Sequence, residues 1–383
     1  MHANPFTDQE LARRVARLRK SMEAHDLEVA VLSQPESVFY LIGLDHWGYF
    51  APHHLIVPAS GELVLVTRQM ERVTIENQVR NARLCGHSDS VTAASHLAGE
   101  LNALGISGKR LGFEVGSAGL TYGAGTELFE ALGAADWQDI TGLVDALRLV
   151  KSPEEQTIMR AAAKASDAGT MAAIAAIHDG APEADIAAEC LAAMTCAGST
   201  PPGFGPFLRP DHRIAEEHTS WGTGTHVAGQ RVMLEVAGCV ARYNAPMGRL
   251  VHIGAIRDED AEMAEISKRA FQGILDALKP GVRARDVYNG WQAVVDAAGM
   301  PEYRRHHCGY LVGIGFPPSW TGGNKVTGLR HDSDLVIEEG MTFHAMSWFT
   351  ETGRGDFFVS NCVLLCPDGA EVLTTAPMGP IVK

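Results

Sequence analysis

The chain has 383 residues, which is too long for one ordinary hydrophobic core and suits two domains. Hydrophobic residues make up 46% of it and charged residues 20%, a composition that excludes a disordered protein. The net charge of −14 argues against nucleic acid or an anionic membrane as the main partner, because both require clustered lysine and arginine.

Cysteine usage and the first residues predict a cytoplasmic protein. The seven cysteines are scattered without a CxxC pair, which is typical of reduced thiols and not of a zinc site or a disulfide framework. The first twenty residues are charged and lack the apolar core of a secretory signal. No apolar stretch approaches the length of a membrane span.

Residues 1–150 alternate between helical and strand-like patterns, which predicts an α/β domain. Thr7, with Glu10 three residues later, predicts the start of a first helix. The apolar stripe of that helix comprises Leu11, Val15, Leu18 and Met22. Apolar runs of strand type follow at 29–32, 54–57, 63–67 and 110–113.

Residues 151–383 predict an α+β domain, with helices first and a mostly antiparallel sheet afterwards. Ser152, Pro153 and Glu155 form a strong helix start, and two long Ala-rich helices extend to about Gly198, joined near Gly180. Beyond the Pro/Gly-rich stretch 201–210, further helices are predicted at 260–278 and 284–298. Strands are predicted at 232–239, 250–253, 310–314, 341–348 and 357–365.

Two residues of the second half are candidates for proton transfer. His218 lies in a loop-like segment, where a histidine can serve as a general acid or base, although a surface or structural histidine is an alternative among sixteen. Glu235 interrupts the apolar run 232–237, where an unpaired carboxylate costs free energy and burial would raise its pKa. The alternative for Glu235 is a buried ion pair with Arg242 or Arg249.

Three further polar residues lie in strand-like segments. His307 and Tyr310 precede a glycine-rich stretch in which the backbone can approach a ligand closely. Because neighbours on a strand point to opposite faces, at most one of His306 and His307 is expected to face a given pocket. His344 lies within an apolar strand, where a hydrogen-bonded core histidine is the alternative. No GxSxG, Walker-A or GxGxxG pattern supports a serine hydrolase or a nucleotide site.

Four segments in order (216–226, 233–250, 304–320 and 340–348) resemble the creatinase/aminopeptidase P/prolidase superfamily. The resemblance implies a creatinase-like N-terminal α/β domain and a catalytic α+β domain of the pita-bread fold. In the metallopeptidase branch, five residues bind two divalent ions. The matching positions here hold Glu235, Pro246, Tyr310, Met346 and either Ser360 or Asn361. Since Pro and Met cannot bind hard ions, the resemblance predicts neither a metal nor another cofactor.

The metal-free members of the superfamily give the expected chemistry. His218 is placed like the catalytic histidine of creatinase, and the segments LEVAGCVARYNAP, GYLVGIGFPPSW and GMTFH resemble ectoine hydrolases, including Tyr310 in place of histidine. Phe358 and Asn361 stand where those enzymes tend to carry acidic residues. The resemblance therefore implies hydrolysis of a C–N bond in a small amidine, guanidine or amide, with ectoine or a derivative as one candidate.

The resemblance also implies roles for individual residues. His218 would activate water or deliver a proton, and Glu235 would act as base or nucleophile. Tyr310 and His344 would orient the substrate and stabilise developing charge. The expected substrate-binding residues are Trp47, Tyr49, Trp221, Tyr243, Arg249 and His307.

In creatinase-type homodimers, residues of the N-terminal domain complete the site of the partner subunit. The resemblance therefore implies a homodimer in which Trp47 and Tyr49 contact the substrate bound by the partner. Two alternatives remain open beside the small-molecule hydrolase. One is a metal-dependent Xaa-Pro peptidase or lyase whose single rearranged ion would be bound by His306, His307, His344 and Glu235. The other is a non-catalytic protein that binds a ligand.

Overall fold

A computed structural model describes residues 4–47, 49–106, 109–323 and 326–383. These residues divide into two compact units. The first comprises the described residues up to Arg148 together with Gly323, and the second comprises the other described residues from Leu149 onward. Within the described ranges, the helices are all too short or too polar to cross a membrane.

The first unit contains a mixed sheet of six described strands in the order β4-β3-β2-β1-β5-β6. The strands are β1 (Val29–Leu32), β2 (His54–Pro58), β3 (Leu63–Arg68), β4 (Ala82–His87), β5 (Arg110–Phe113) and β6 (Asp136–Asp139). The helices are α1 (Asp8–Ala24), α2 (Pro35–Ile42), α3 (Arg72–Gln78), α4 (Ala93–Ala103), α5 (Tyr122–Leu132) and α6 (Leu143–Arg148). The sequence does not predict β4 and β6, because both are partly or fully exposed and lack an apolar run.

Helix α1 begins as its capping residue predicts. The Thr7 hydroxyl accepts a hydrogen bond from the Glu10 amide at 3.1 Å, which satisfies one of the unpaired amides of the first turn. The Glu10 carboxylate binds Arg13 and Arg14 one turn later. The predicted apolar stripe of this helix is buried.

The second unit contains four helices and eight strands among its described residues. The helices are α7 (Pro153–Ala176), α8 (Glu183–Cys196), α9 (Asp258–Ala277) and α10 (Ala284–Ala297). The strands are β7 (Phe207–Pro210), β8 (Arg231–Val240), β9 (Tyr243–His252), β10 (Gly309–Leu311), β11 (Thr342–Phe349), β12 (Phe357–Cys366), β13 (Gly369–Val372) and β14 (Ile381–Val382). The central path of the sheet runs β10-β11-β12-β9-β8-β7 and is antiparallel throughout.

A two-residue turn joins β8 to β9 and determines their register. Ala241 and Arg242 both adopt left-handed conformations, with φ of 46° and 63°, between the paired residues Val240 and Tyr243. Two successive positive φ angles give a turn whose twist matches that of the strands. Strand β9 therefore begins at Tyr243, seven residues before the start that the sequence predicts at residue 250.

The two faces of β8 have different surroundings. Val232, Leu234 and Val236 belong to a buried core together with Ile174 of α7 and Cys190 of α8. Because successive side chains of a strand alternate between faces, the intervening residues of β8 point away from these helices. That opposite face of the sheet carries the candidate site.

Candidate active site

One row of paired residues crosses the sheet and assembles the candidate site. Phe207 pairs with Glu235, Glu235 with Gly248, Gly248 with Ser360, and Ser360 with Met346. Directly paired residues point to the same face of a sheet, so this row lies on the face opposite α7 and α8. Residues two positions along each strand extend the same surface.

This face lines a cavity of about 430 Å³, toward the lower end of the range for small-molecule sites. Its wall is largely aromatic and includes Phe204, Phe207, Tyr310, Trp320 and Trp348. Its charged lining residues are Arg209, Glu217, Glu235 and Arg330. An aromatic wall excludes water and strengthens the electrostatic interactions of any charge held within it.

Glu235 is a buried carboxylate that no described residue hydrogen-bonds. Only 6% of Glu235 is exposed, and the Arg209 guanidinium (Nη2) and the His344 ring (Nε2) each lie 3.9 Å from a carboxylate oxygen. Burial raises the pKa of Glu235 from 4.5 to about 7, although the Arg209 guanidinium opposes this shift. Glu235 can therefore both accept and release a proton near neutral pH.

Tyr310, His344 and Ser360 form a continuous hydrogen-bonded line beside Glu235. Trp320 Nε1 donates to the Tyr310 hydroxyl at 2.9 Å, and this hydroxyl lies 2.9 Å from His344 Nδ1. His344 Nε2 lies 2.7 Å from Ser360 Oγ. Burial lowers the pKa of His344 to about 3, so its ring is neutral at physiological pH.

Two proton arrangements satisfy this line. In one, the Tyr310 hydroxyl donates to Nδ1 and Nε2–H of His344 donates to Ser360. In the other, Ser360 donates to Nε2 and Nδ1–H donates to the Tyr310 oxygen, which leaves the phenol proton available to the cavity. Tyr310 lines the cavity, whereas His344 is fully buried and contacts it through Tyr310. His344 is therefore a positioning residue for Tyr310.

His218 lines the same cavity from an exposed position. Its backbone adopts a left-handed conformation with φ of 56°, which is uncommon for residues other than glycine. Its ring centroid lies 6.0 Å from that of Phe204 and 6.2 Å from that of Phe207. Strained conformations of this kind cluster at functional sites, and exposure allows the ring to exchange protons with solvent.

Both His306 and His307 line the cavity, so the prediction that at most one would face it is wrong. The two residues precede β10 instead of lying within a strand, and the alternation of strand side chains does not apply to them. The His307 ring packs edge-on against Tyr310, with centroids 5.3 Å apart. Burial, with a contribution from His306, lowers the pKa of His307 to about 3, which makes it a neutral wall residue at physiological pH.

Several expected substrate-binding residues lie away from this cavity. Tyr243 is fully buried on the helix-facing side of the sheet, where its hydroxyl donates to Glu155 of α7 at 2.7 Å. Trp221 is 38% exposed and does not line the cavity. Trp47 and Tyr49 belong to the first unit, in which Trp47 is 55% exposed and the Tyr49 ring packs near that of His53. The participation of Trp47 and Tyr49 in a partner's site stays a prediction.

Arg249 also lies outside the cavity, on the helix-facing side of the sheet. Its guanidinium makes five hydrogen bonds of 2.5–2.8 Å, to the carbonyls of Gly248, Ser360, Ala376 and Pro377 and to Asn361 Oδ1. Because all five donors are used in binding neighbouring backbone and one amide, Arg249 has a structural role. Neither Arg249 nor Arg242 is the cation beside Glu235; that cation is Arg209.

Arg209 is the main residue that sequence reasoning missed. It lies on β7, a four-residue strand within the Pro/Gly-rich stretch that predicted no strand. Phe207 and Arg209 are two positions apart and pair with Glu235 and Met233, so both share the face of Glu235. The i, i+2 spacing of Phe207 and Arg209 could have indicated a short strand with both side chains on one face.

The side chains at the five positions that match the family's metal ligands do not fit a pair of hard divalent ions. At the five positions that resemble the metal ligands, the side chains are a carboxylate, a proline ring, a phenol, a thioether and either a hydroxyl or an amide. Such ions prefer several carboxylate or carbonyl oxygens, whereas a thioether suits softer metals. Within the described ranges, no three His, Cys, Asp or Glu side chains gather in a geometry that could bind an ion.

Comparison with known proteins identifies the family of both halves of the chain. Residues 157–365 match the metallopeptidase family M24, and residues 14–150 match the creatinase/prolidase N-terminal domain. The ectoine hydrolase of Halomonas elongata is 27% identical over 405 residues, covering 99% of this chain and 98% of that protein. The hydrolase/peptidase y4tM of Sinorhizobium fredii is 27% identical over 394 residues, with the same coverage.

The fold agrees with these matches. An Xaa-Pro dipeptidase from Bacillus anthracis superposes with a TM-score of 0.85 at 22% identity, covering 97% of this chain and 100% of that chain. The prediction of the superfamily and of its two-part fold is confirmed. This chain belongs to the metallopeptidase family M24, with a creatinase/prolidase N-terminal domain followed by a pita-bread domain that contains the candidate site.

Proposed function

We propose that this protein hydrolyses a C–N bond in a small nitrogen compound, such as a cyclic amidine, without a metal ion. The observation that carries the proposal is Glu235, a buried carboxylate to which no described residue donates a hydrogen bond and which lines an aromatic cavity. Its raised pKa of about 7 suits an acid–base catalyst at neutral pH. The similarity to the ectoine hydrolase of Halomonas elongata supports cyclic amidines as the first compounds to test.

In the proposed reaction, Glu235 is the general base. The ionised carboxylate takes a proton from a water molecule as the water oxygen attacks the amidinium carbon. The attack discharges the amidinium, and Tyr310 donates a hydrogen bond to the water-derived oxygen of the neutral tetrahedral intermediate. His344 and Ser360 support this step, because the arrangement in which Nδ1–H of His344 donates to Tyr310 frees the phenol proton.

His218 delivers a proton to the leaving nitrogen. Its exposed ring at the cavity wall can be reprotonated by solvent between turnovers. As the C–N bond breaks, the hydroxyl proton of the tetrahedral intermediate is lost to solvent and a carbonyl forms. The products are a free amine and an amide, a urea or an acid, and the proton taken by Glu235 also returns to solvent. The three groups thus act on different parts of the reaction, since Glu235 acts on water, Tyr310 on the attacking oxygen and His218 on the leaving group.

Metal independence is supported by the side chains at and beside the positions that match the family's metal ligands. Pro246 and Met346 offer no oxygen ligand, and both ring nitrogens of His344 are already hydrogen-bonded within the protein. The same facts disfavour the single-metal peptidase, since His344 was one of its few candidate ligands.

The proposal is tested by a substrate screen with and without a chelator. Ectoine, guanidino acids, lactams and Xaa-Pro dipeptides would be incubated with the purified protein, before and after dialysis against EDTA. We expect turnover of an amidine or guanidine that EDTA leaves unchanged and that Glu235→Gln abolishes. Turnover confined to Xaa-Pro dipeptides and lost with EDTA would overturn the proposal, and no turnover of any compound would favour a binding protein.

We also propose that the protein acts as a homodimer. Trp47 and Phe50 are 55% and 85% exposed, which is unusual for two large apolar side chains so close in sequence. Sedimentation of the wild type and of Phe50→Ser tests the assembly. Dimers that weaken in Phe50→Ser are expected, and a wild type that is monomeric at micromolar concentration would contradict the proposal.

A further inference from the structure

Arg209 is a buried cation whose hydrogen-bonding capacity is largely unused. It is 1% exposed, and its guanidinium donates to the Glu216 carbonyl through Nη1 and contacts Met233 Sδ at 3.0 Å through Nη2. Nε has no partner among the described residues, and Glu235 at 3.9 Å is beyond hydrogen-bond distance. Only two of the five donors of Arg209 therefore have an acceptor among the described residues, and one of these acceptors is a weak thioether.

Arg249 provides the comparison within the same sheet. It is equally buried, but five oxygen acceptors surround its guanidinium. A buried arginine with a purely structural role is expected to look like Arg249, because an unsatisfied buried donor costs free energy. The unused donors of Arg209 point instead to an acceptor that a ligand would supply.

The position of Arg209 indicates the charge of that ligand. Arg209 lines the cavity, whose wall is largely aromatic. The carboxylates of Glu217 and Glu235 also line the cavity, but neither accepts a hydrogen bond from Arg209. Arg330, the other arginine of the lining, is about half exposed and already holds Asp332 through two hydrogen bonds. Arg209 is thus the buried arginine of the lining whose N–H groups are not all hydrogen-bonded by described residues. A planar guanidinium binds carboxylates through paired hydrogen bonds.

We propose that Arg209 binds a carboxylate of the substrate, and that the substrate is a small zwitterion with a cationic amidinium or guanidinium group near that carboxylate. The inference rests on the proposed function, which places the cationic C–N group at Glu235. The 3.9 Å between Arg209 and Glu235 requires the two charges of the substrate to be separated by only a few bonds. A zwitterion of this kind pairs its anion with Arg209 and its cation with Glu235.

A binding experiment tests this assignment independently of turnover. Ectoine and its carboxamide differ in the carboxylate alone, and the fluorescence of Trp320 and Trp348 in the cavity wall reports their binding. We expect wild-type protein to bind ectoine about 10- to 100-fold more tightly than the carboxamide, as loss of a charge-assisted hydrogen bond predicts. Equal affinity for the two compounds, or binding of neither, would overturn the assignment.

Variants then test whether Arg209 causes the preference for ectoine over its carboxamide. In Arg209→Gln, the affinities for ectoine and its carboxamide are expected to differ by no more than about twofold. Arg330→Gln should keep the wild-type difference, because Arg330 is already paired with Asp332. Arg209→Lys, which keeps the charge and loses the paired geometry, is expected to retain an intermediate preference. A folded Arg209→Gln protein with an unchanged preference would contradict the role of Arg209. Tight, selective binding of ectoine without hydrolysis would leave the carboxylate subsite standing and refute the proposed reaction for this compound.

Discussion

Glu235 and Arg249 point to opposite faces of one sheet, although their strands are paired neighbours. Glu235 faces Gly248 across β8 and β9, so Arg249, one residue further on, turns toward α7 and α8. The buried cation and the buried carboxylate therefore serve different purposes. Arg249 holds strands and the C-terminal segment together, whereas Glu235 lines the cavity with no hydrogen-bond donor among the described residues.

Replacing Arg249 is expected to affect stability more than substrate recognition. Arg249→Lys keeps a charge but has three donors for the five acceptors that surround the guanidinium. Loss of about 3 kcal/mol of unfolding free energy is expected, in the range for disrupting a buried charged network. Urea unfolding measures this loss. An unchanged midpoint, or a large rise in KM for a folded variant, would contradict the structural role.

Glu235→Gln should change the pH dependence of stability in a defined direction. The pKa of Glu235 rises from 4.5 to about 7 on folding, so between these values the folded protein binds more protons than the unfolded chain. Its contribution to the unfolding free energy therefore falls as the pH rises through this interval, by about 3 kcal/mol in total. Relative to wild type, Glu235→Gln is expected to be equally stable at pH 4 and about 3 kcal/mol more stable at pH 8, as urea unfolding at the two pH values would measure.

Glu114→Gln is the matched control for that experiment. Burial also raises the pKa of Glu114 to about 7, but its carboxylate accepts hydrogen bonds from the Ser33 and Gln34 amides and the Ser37 hydroxyl. At pH 8 the ionised Glu114 accepts all three hydrogen bonds, whereas glutamine accepts through one oxygen only, so this variant should gain less stability over wild type at pH 8 than Glu235→Gln does. Equal gains of the two variants at pH 8 would refute the distinction between a partnered and an unpartnered carboxylate.

Tyr310→Phe should separate catalysis from folding. Removing the phenol deprives Trp320 Nε1 and His344 Nδ1 of their partner and, in the proposed reaction, removes the hydrogen bond to the attacking oxygen. We expect kcat to fall about 100-fold, with a stability loss of about 1–3 kcal/mol. Tyr303→Phe is the control, since this hydroxyl bonds to backbone at Thr350 outside the cavity. It should lose comparable stability while kcat stays within about twofold of wild type.

His218 can be tested through its backbone as well as its ring. His218→Asn removes the imidazole but tolerates the left-handed conformation at φ of 56°, so it should fold as stably as wild type. His218→Ala should be about 1 kcal/mol less stable, because alanine is disfavoured there. Both variants are expected to lose about 100-fold in kcat when the leaving group is poor. Full activity of His218→Asn would exclude proton delivery by this ring.

Local chemistry explains which parts of the fold could be predicted from sequence. Ser152 and Glu155 form a capping box, and the two residues are only three positions apart in the chain, so the start of α7 is predicted correctly. The strand cores of β1, β5 and β8 are predicted because each lies in a short, largely apolar run, which in β8 is interrupted only by Glu235. Each of these signals depends only on neighbours within a few residues.

The candidate site depended on registers that local patterns do not contain. The turn at Ala241 and Arg242 lacks the glycine or asparagine that usually marks two successive positive φ angles, so the start of β9 was not recognised. Without that register, the face on which Arg249 lies could not be assigned. Arg209 was missed because a four-residue strand in a proline-rich stretch acquires its pairing only from β8, which lies later in the chain.

Gly248, at the centre of the row from Phe207 to Met346, leaves no room for a side chain. A Cβ at this position would come within 2.1 Å of Phe358 Cε1 and 3.0 Å of Ser360 Oγ. A single added methyl group would therefore have to displace the Phe358 ring, and it would also press on Ser360, which is hydrogen-bonded to His344. The shape of the cavity face thus depends on a position that carries no functional group.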